Sequence, residues 1–166
     1  PDNAKKVLKT INVAPTFVLV GTLEPRKGHL QTLAAFEQLW EEGYQVNLVI
    51  VGKEGWKSLP NIRRQRRTIP QIVTKLRKHK ELGNRLFWLE GISDEYLDKI
   101  YAASTCLIVA SEGEGFGLPL IEAAQHKLPI IARGIPVFRE VAGEHAYYFN
   151  GLDGQVLADA IKHWLT

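Results

Sequence analysis

Two glutamates with seven residues between them bracket the stretch of this chain best suited to chemistry, Ser111-Glu112-Gly113-Glu114-Gly115-Phe116-Gly117-Leu118-Pro119-Leu120-Ile121-Glu122-Ala123-Ala124. Gly113, Gly115 and Gly117 alternate and leave little side-chain bulk. Backbone N–H groups can therefore approach a ligand closely and form an anion nest. Pro119 is tolerated in a first helical turn, so the spacing predicts a helix opening at Gly117 or Leu118. A helix N-terminus fed by a glycine-rich loop is suited to pyrophosphate. A carboxylate beside that anion, as Glu114 is, suits hydroxyl groups rather than phosphate. Glu122 lies among Leu120, Ile121, Ala123 and Ala124, and an acid in an apolar helix face needs a partner. A ligand is one such partner; a salt bridge that makes Glu122 purely structural is the other.

A second candidate is Gly21-Thr22-Leu23-Glu24-Pro25-Arg26-Lys27-Gly28. Gly21 permits a tight exit from the preceding apolar run. Arg26 and Lys27 place two cations where a helix begins, and a helix N-terminus repels cations. A bound anion resolves that conflict by accepting both side chains and the helix amides. The alternative is two solvated surface cations. The segment is neither a Walker phosphate loop nor a Gly-x-Gly-x-x-Gly fingerprint.

These loops need elements to hold them. Short apolar runs end at or near glycine or serine: Phe17–Val20, Gln45–Val51, Arg85–Leu89 and Thr105–Ala110, followed by Pro129–Ala132 and Ala146–Phe149. Most are β-branched or aromatic and nearly continuous, the pattern of strands buried on both faces. Between them, Leu30, Leu33, Ala34, Phe36, Leu39 and Trp40 recur at helical spacing, and Gly43 closes that pattern. Ser93 caps another helix, with Asp94 and Glu95 at its positive end and Leu97, Ile100 and Tyr101 inward. Leu118–Leu128 and Val156–Leu165 make two more. About six strands alternating with helices predict an α/β fold with a doubly wound parallel sheet. In such sheets ligands sit beyond the carboxyl ends of the strands, where both loops fall.

Composition narrows the function classes. The chain has 166 residues, a net charge of +3, 45% hydrophobic and 23% charged residues, which excludes a disordered chain. No apolar run approaches the ~20 residues of a bilayer span, and the first residues do not read as a signal peptide. The single Cys106 sits in an apolar strand and reads as a small hydrophobe. No Met occurs anywhere, so residues 1–166 read as a piece of a longer protein. His29, His79, His126, His145 and His163 show no metal-ligand spacing, and His29 reads as a surface helix residue. Residues 62–80 carry eight Lys and Arg and no acid, with no aromatic between Trp56 and Phe87 to stack bases. That argues against nucleic acid and leaves a solvated face or an anionic membrane surface.

Taken together, these segments resemble the retaining GT-B nucleotide-sugar glycosyltransferases, the large family that includes bacterial mannosyl- and glucosyltransferases and sucrose synthase. The resemblance rests on the two glutamates flanking Gly-Phe-Gly-Leu-Pro and on Gly21–Gly28. It extends to Phe87–Glu95, Pro129–Ala132 and Pro136–Gly143, in order, over residues 17 to about 149. It implies a Rossmann-like half of a GT-B fold, the carboxy-terminal donor-binding domain of a two-domain chain whose amino-terminal domain carries the acceptor site. It also implies sugar transfer from a nucleoside-diphosphate sugar, mannosyltransferase-like and weakly favouring GDP-mannose, with no metal cofactor. The expected setting is the cytoplasm or the inner membrane face. By resemblance, Arg26 and Lys27 bind the donor diphosphate beside Gly21 and Thr22, where many members carry Arg in place of Thr22. Gly115, Phe116, Gly117 and Leu118 offer amides to phosphate and sugar. Glu114 holds sugar hydroxyls, Glu122 holds the ribose, and Gly91 and Ile92 lie by the base. Lys27 and Glu114 are the catalytic candidates. A GT-B-like epimerase or phosphorylase, or a non-catalytic nucleotide- or polyanion-binding module, are the alternatives.

Overall fold

The structure, a computed structural model, describes residues 2–54, 68–113 and 118–166. The apolar runs become six strands: β1 (Thr16–Val20), β2 (Asn47–Val51), β3 (Leu86–Leu89), β4 (Cys106–Val109), β5 (Ile130–Arg133) and β6 (Ala146–Phe149). All neighbouring pairs are parallel, in the order β3-β2-β1-β4-β5-β6. That is the order of a doubly wound nucleotide-binding sheet. The interior strands β1, β2, β4 and β5 are buried almost throughout. β6 closes one edge and is buried only at Phe149. This explains why its sequence, Ala-Tyr-Tyr-Phe, tolerates two hydroxyls.

Successive strand residues feed opposite faces. Phe17, Leu48, Ile50, Cys106 and Ile108 pack under α2 (His29–Glu41), α3 (Thr68–Arg77) and α7 (Gly154–Leu165). Val18, Val49, Val51, Leu107 and Val109 pack under α1 (Asp2–Ile11), α4 (Asp94–Ala103), α5 (Leu118–Gln125) and α6 (Pro136–Ala142). The helix ends follow local chemistry. Ser93 Oγ accepts the Tyr96 N–H at 3.1 Å, as its capping position predicts. Asp153 does the same for Val156 at 2.9 Å, starting α7 two residues earlier than its apolar pattern. α5 stops at Gln125 because Lys127 turns left-handed (φ 55°). The N–H of Leu128 then bonds the Ala123 carbonyl, and the N–H of Lys127 bonds that of Ala124.

α1, α3 and α6 are helices that the sequence reading did not set out. The basic stretch is only partly visible, since Arg63, Arg64, Arg66 and Arg67 lie outside the described residues. In the visible part, Lys75 pairs with Glu37 at 3.8 Å and the Arg77 guanidinium lies 5.4 Å above Trp88, so the fold itself engages two of those cations. No helix among the described residues is long and apolar enough to cross a membrane.

Candidate functional site

The strand order reverses between β1 and β4, and a crevice opens where their following loops diverge. The β1 loop and the root of the glycine-rich loop, Ser111 to Gly113, lie there. The β1 loop forms a tight turn at Pro25–Lys27 and enters α2 through Gly28 in left-handed conformation (φ 80°). Only glycine fits there: a Cβ on Gly28 would lie 2.4 Å from the Ala110 carbonyl oxygen at the end of β4. The two loops are also joined directly, because the N–H of Glu112 bonds the Arg26 carbonyl at 2.8 Å. The root of the glycine-rich loop is thereby pinned to the turn that carries the two cations.

Arg26 is exposed and Lys27 half-buried. The Lys27 chain crosses Gly21, its Cδ 3.7 Å from where a Gly21 Cβ would stand. The Thr22 hydroxyl donates to Glu24 Oε1 at 2.6 Å, which braces the turn. The surface position expected for His29 is wrong: it is 2% exposed, at the first position of α2. Burial, with the Lys27 charge beside it, pulls its pKa down to about 4. The Glu24 carbonyl offsets part of that shift, although neither ring nitrogen reaches a partner with hydrogen-bond geometry among the described residues. A neutral imidazole here adds no third charge to the turn.

Glu114, Gly115, Phe116 and Gly117 lie outside the described residues; Leu118 is the first residue of α5. Glu122, four residues on, sits just over one turn into α5 and is exposed. Its Oε2 accepts the hydroxyl of Tyr101, a buried residue of α4, at 2.9 Å. Gly91 and Ile92 follow β3 and line a cavity of about 700 Å³ together with Trp88 and Tyr96, walled by Lys5 and Leu8 of α1. Gly91 and Ile92 stand at the β3 end, Glu122 on α5, and Gly21, Thr22, Arg26 and Lys27 at the β1–β4 crevice.

The residue that sequence reasoning missed is Arg133, 5% exposed at the end of β5. Its guanidinium donates to the carbonyls of Ala110 (2.9 Å), Ser111 (3.2 Å) and Gly151 and to Gln31 Oε1, and it lies 5.0 Å above Phe149. It therefore ties the glycine-rich loop to α2 and to the loop before α7. It also floors a cavity of about 210 Å³ edged by Pro25, Gln31 and Glu112. The available signal was an arginine ending an otherwise apolar strand, Ile-Ile-Ala-Arg. Cys106 is buried, and burial pushes its thiol well above its ordinary range, in keeping with an inert core residue. Among the described residues there is no group of three or more His, Cys, Asp or Glu able to hold a metal ion.

Comparison with known proteins decides the family. The family model of glycosyl transferases group 1 matches residues 2–166. The chain belongs to the glycosyl transferases group 1 family. It is 55% identical over all of its 166 residues to the serotype-specific mannosyltransferase WbdA of Escherichia coli, covering 19% of that protein. It is 31% identical over 148 residues to the O-antigen chain mannosyltransferase RfbU of Salmonella typhimurium, covering 89% of this chain and 37% of that one. Among solved structures, the sucrose-phosphate synthase of Thermosynechococcus elongatus superposes over 99% of this chain and 39% of its own, at TM-score 0.73 and 27% identity. The chain thus spans well under half the length of these relatives. Its six-stranded, doubly wound parallel sheet is the Rossmann-like half of a GT-B fold.

Proposed function

We propose that this chain is the carboxy-terminal, donor-binding domain of a two-domain retaining glycosyltransferase that moves a sugar from a nucleoside-diphosphate sugar to a hydroxyl acceptor. The observation that carries the reading is the meeting of the two candidate loops at the β1–β4 switch point, held by the Glu112–Arg26 backbone bond. In this reading the donor contacts all three groups of candidates. The base enters the cavity at Gly91 and Ile92, the ribose reaches Glu122, and the diphosphate faces Arg26, Lys27 and the amides at the start of α5. Glu114 receives the sugar hydroxyls.

When the glycosidic bond to phosphate breaks, negative charge grows on the departing diphosphate. Arg26, Lys27 and the α5 N-terminus offset it electrostatically. The acceptor site belongs to the amino-terminal domain, so the chain alone binds the donor without transferring sugar. Similarity to proteins named mannosyltransferases supports mannose as the transferred sugar and GDP-mannose as the proposed donor. An anionic membrane surface, contacted through residues 62–80, is the proposed setting for the acceptor.

Calorimetric titration of the full-length protein with GDP, UDP, ADP and GDP-mannose tests this reading. GDP and GDP-mannose are expected to bind more tightly than the others. Absence of binding by every nucleoside diphosphate would overturn it, and a preference for UDP or ADP would move the donor away from GDP-mannose.

A further inference from the structure

Glu122 is exposed, and an exposed glutamate ordinarily samples many rotamers; fixing one has an entropic cost when a ligand binds. Here one carboxylate oxygen is already fixed. The Tyr101 hydroxyl, on the last turn of α4, donates to Glu122 Oε2 at 2.9 Å. Tyr101 is 2% exposed, so its ring cannot follow the carboxylate outward. It is held from the side by the His126 ring, 4.8 Å between centroids and tilted 30°, and His126 Nε2 lies 3.2 Å from Asp98 Oδ1. Two cross-links therefore join α4 to α5 and to the residue that follows α5. Asp98–His126 ends on the helix surface, whereas Tyr101–Glu122 ends on the carboxylate assigned to the ribose.

We propose that Tyr101 is a positioning residue for donor binding: its buried hydroxyl anchors Glu122 Oε2 and leaves Oε1 presented to the ribose diol. The proposal rests on the ribose role of Glu122 given above. A buried phenol needs an acceptor, and a core tyrosine could find one in a backbone carbonyl. Tyr101 instead bonds the one ionisable side chain of α5, and it does so from the neighbouring helix. A carboxylate held at one oxygen keeps lone pairs for two hydroxyl donors while losing little freedom on binding. The Tyr101 hydroxyl stays protonated as a donor, because burial and the Glu122 carboxylate both push its pKa up.

The test is a cycle in the full-length protein: wild type, Tyr101→Phe, Glu122→Gln and the double variant. Each is titrated calorimetrically with GDP, UDP and their 2′,3′-dideoxy counterparts. The ratio of ribo to dideoxy affinity reads the ribose contact alone, and the calorimetric stoichiometry corrects for any unfolded fraction. Glu122→Gln is expected to lower ribonucleotide affinity by about tenfold or more and to bring the ratio close to one. Tyr101→Phe is expected to lower ribonucleotide affinity roughly three- to tenfold while leaving the dideoxy ligands unchanged. The double variant should be no weaker than Glu122→Gln.

Equal loss for both sugars in Tyr101→Phe, or no loss, would make Tyr101 a packing residue and overturn the inference while leaving Glu122 in place. An unchanged ratio in Glu122→Gln would remove the ribose role itself, and the inference with it. Should Tyr101→Phe fail to fold, Glu122→Asp serves instead. That carboxylate is one methylene too short to bridge the hydroxyl and the ribose, so a fully retained ratio would show that anchoring does not matter.

Discussion

The two ends of the proposed donor site are built from different materials. At the β1–β4 crevice the geometry comes from backbone. The Glu112 N–H meets the Arg26 carbonyl, Gly28 lies against Ala110, and the buried Arg133 guanidinium donates to the Ala110 and Ser111 carbonyls from behind. At the β3–α5 end, side chains set the geometry. Tyr101 holds Glu122, His126 flanks Tyr101, and Trp88 and Tyr96 line an open cavity. A diphosphate is common to all nucleoside-diphosphate sugars, and backbone amides suit it regardless of the rest of the ligand. The base and ribose differ in shape and in hydroxyls, and side chains can be exchanged to suit them without moving a loop. Substitutions that remove the support of the backbone-built end should therefore act through stability, and substitutions of side chains that face the ligand, at either end, through binding.

The largest expected effect lies at the backbone-built end. Arg133→Met keeps much of the volume but leaves the Ala110 and Ser111 carbonyls and Gln31 Oε1 without this donor, and the Gly151 carbonyl with Gln31 Nε2 alone. Urea denaturation should show a loss of about 3 kcal/mol or more. An unchanged midpoint would mean that Arg133 does not hold the crevice together.

The next effect depends on pH. The folded-state pKa of His29, about 4, lies below its ordinary value of 6.5, so the unfolded chain takes up the proton first as pH falls. The contribution of His29 is complete above pH 6.5 and is lost progressively towards pH 4, by roughly 3 kcal/mol in all. His29→Phe should flatten that part of the stability profile. If the acid sensitivity between pH 6.5 and 4 survives the substitution, another group causes it.

The smallest effect is at the far end of α5. Lys127 occupies a left-handed position that glycine adopts more easily. Lys127→Gly should raise stability by about 0.5–1 kcal/mol and leave the ribo-to-dideoxy ratio alone, because Glu122 stays anchored. A changed ratio would show that ligand preference at this end also depends on backbone.

The same contrast governs what the sequence discloses. Apolar runs ending near glycine announced all six strands to within two residues, because strands buried on both faces leave little choice of residue. The turn at Pro25–Lys27 and the root of the glycine-rich loop follow β1 and β4, as the apolar runs required. α1 was missed although Val7, Leu8 and Ile11 share one helix face, because so short a pattern at the start of the chain was not read for periodicity. Arg133 was missed because a charged residue at a strand end reads as solvated, and only the fold brings four acceptors to it. Tyr101 was read as an inward residue, but its bond to Glu122 joins positions 21 residues apart on two different helices, which no local spacing encodes. His29 was misread because the start of an amphipathic helix gives no sign that the fold will bury its first residue.

The central claim is that the β1–β4 crevice binds a diphosphate, and Lys27→Ala tests it most directly. The charge-assisted contact to phosphate should be worth about 1.5–3 kcal/mol, while the nucleoside moiety lies towards the other end of the site. Titration of wild type and variant with GDP and with guanosine, in the full-length protein at one ionic strength, separates the two. The account predicts a loss of GDP affinity of at least tenfold, with guanosine binding unchanged. Equal losses for both ligands, or none for either, would contradict it.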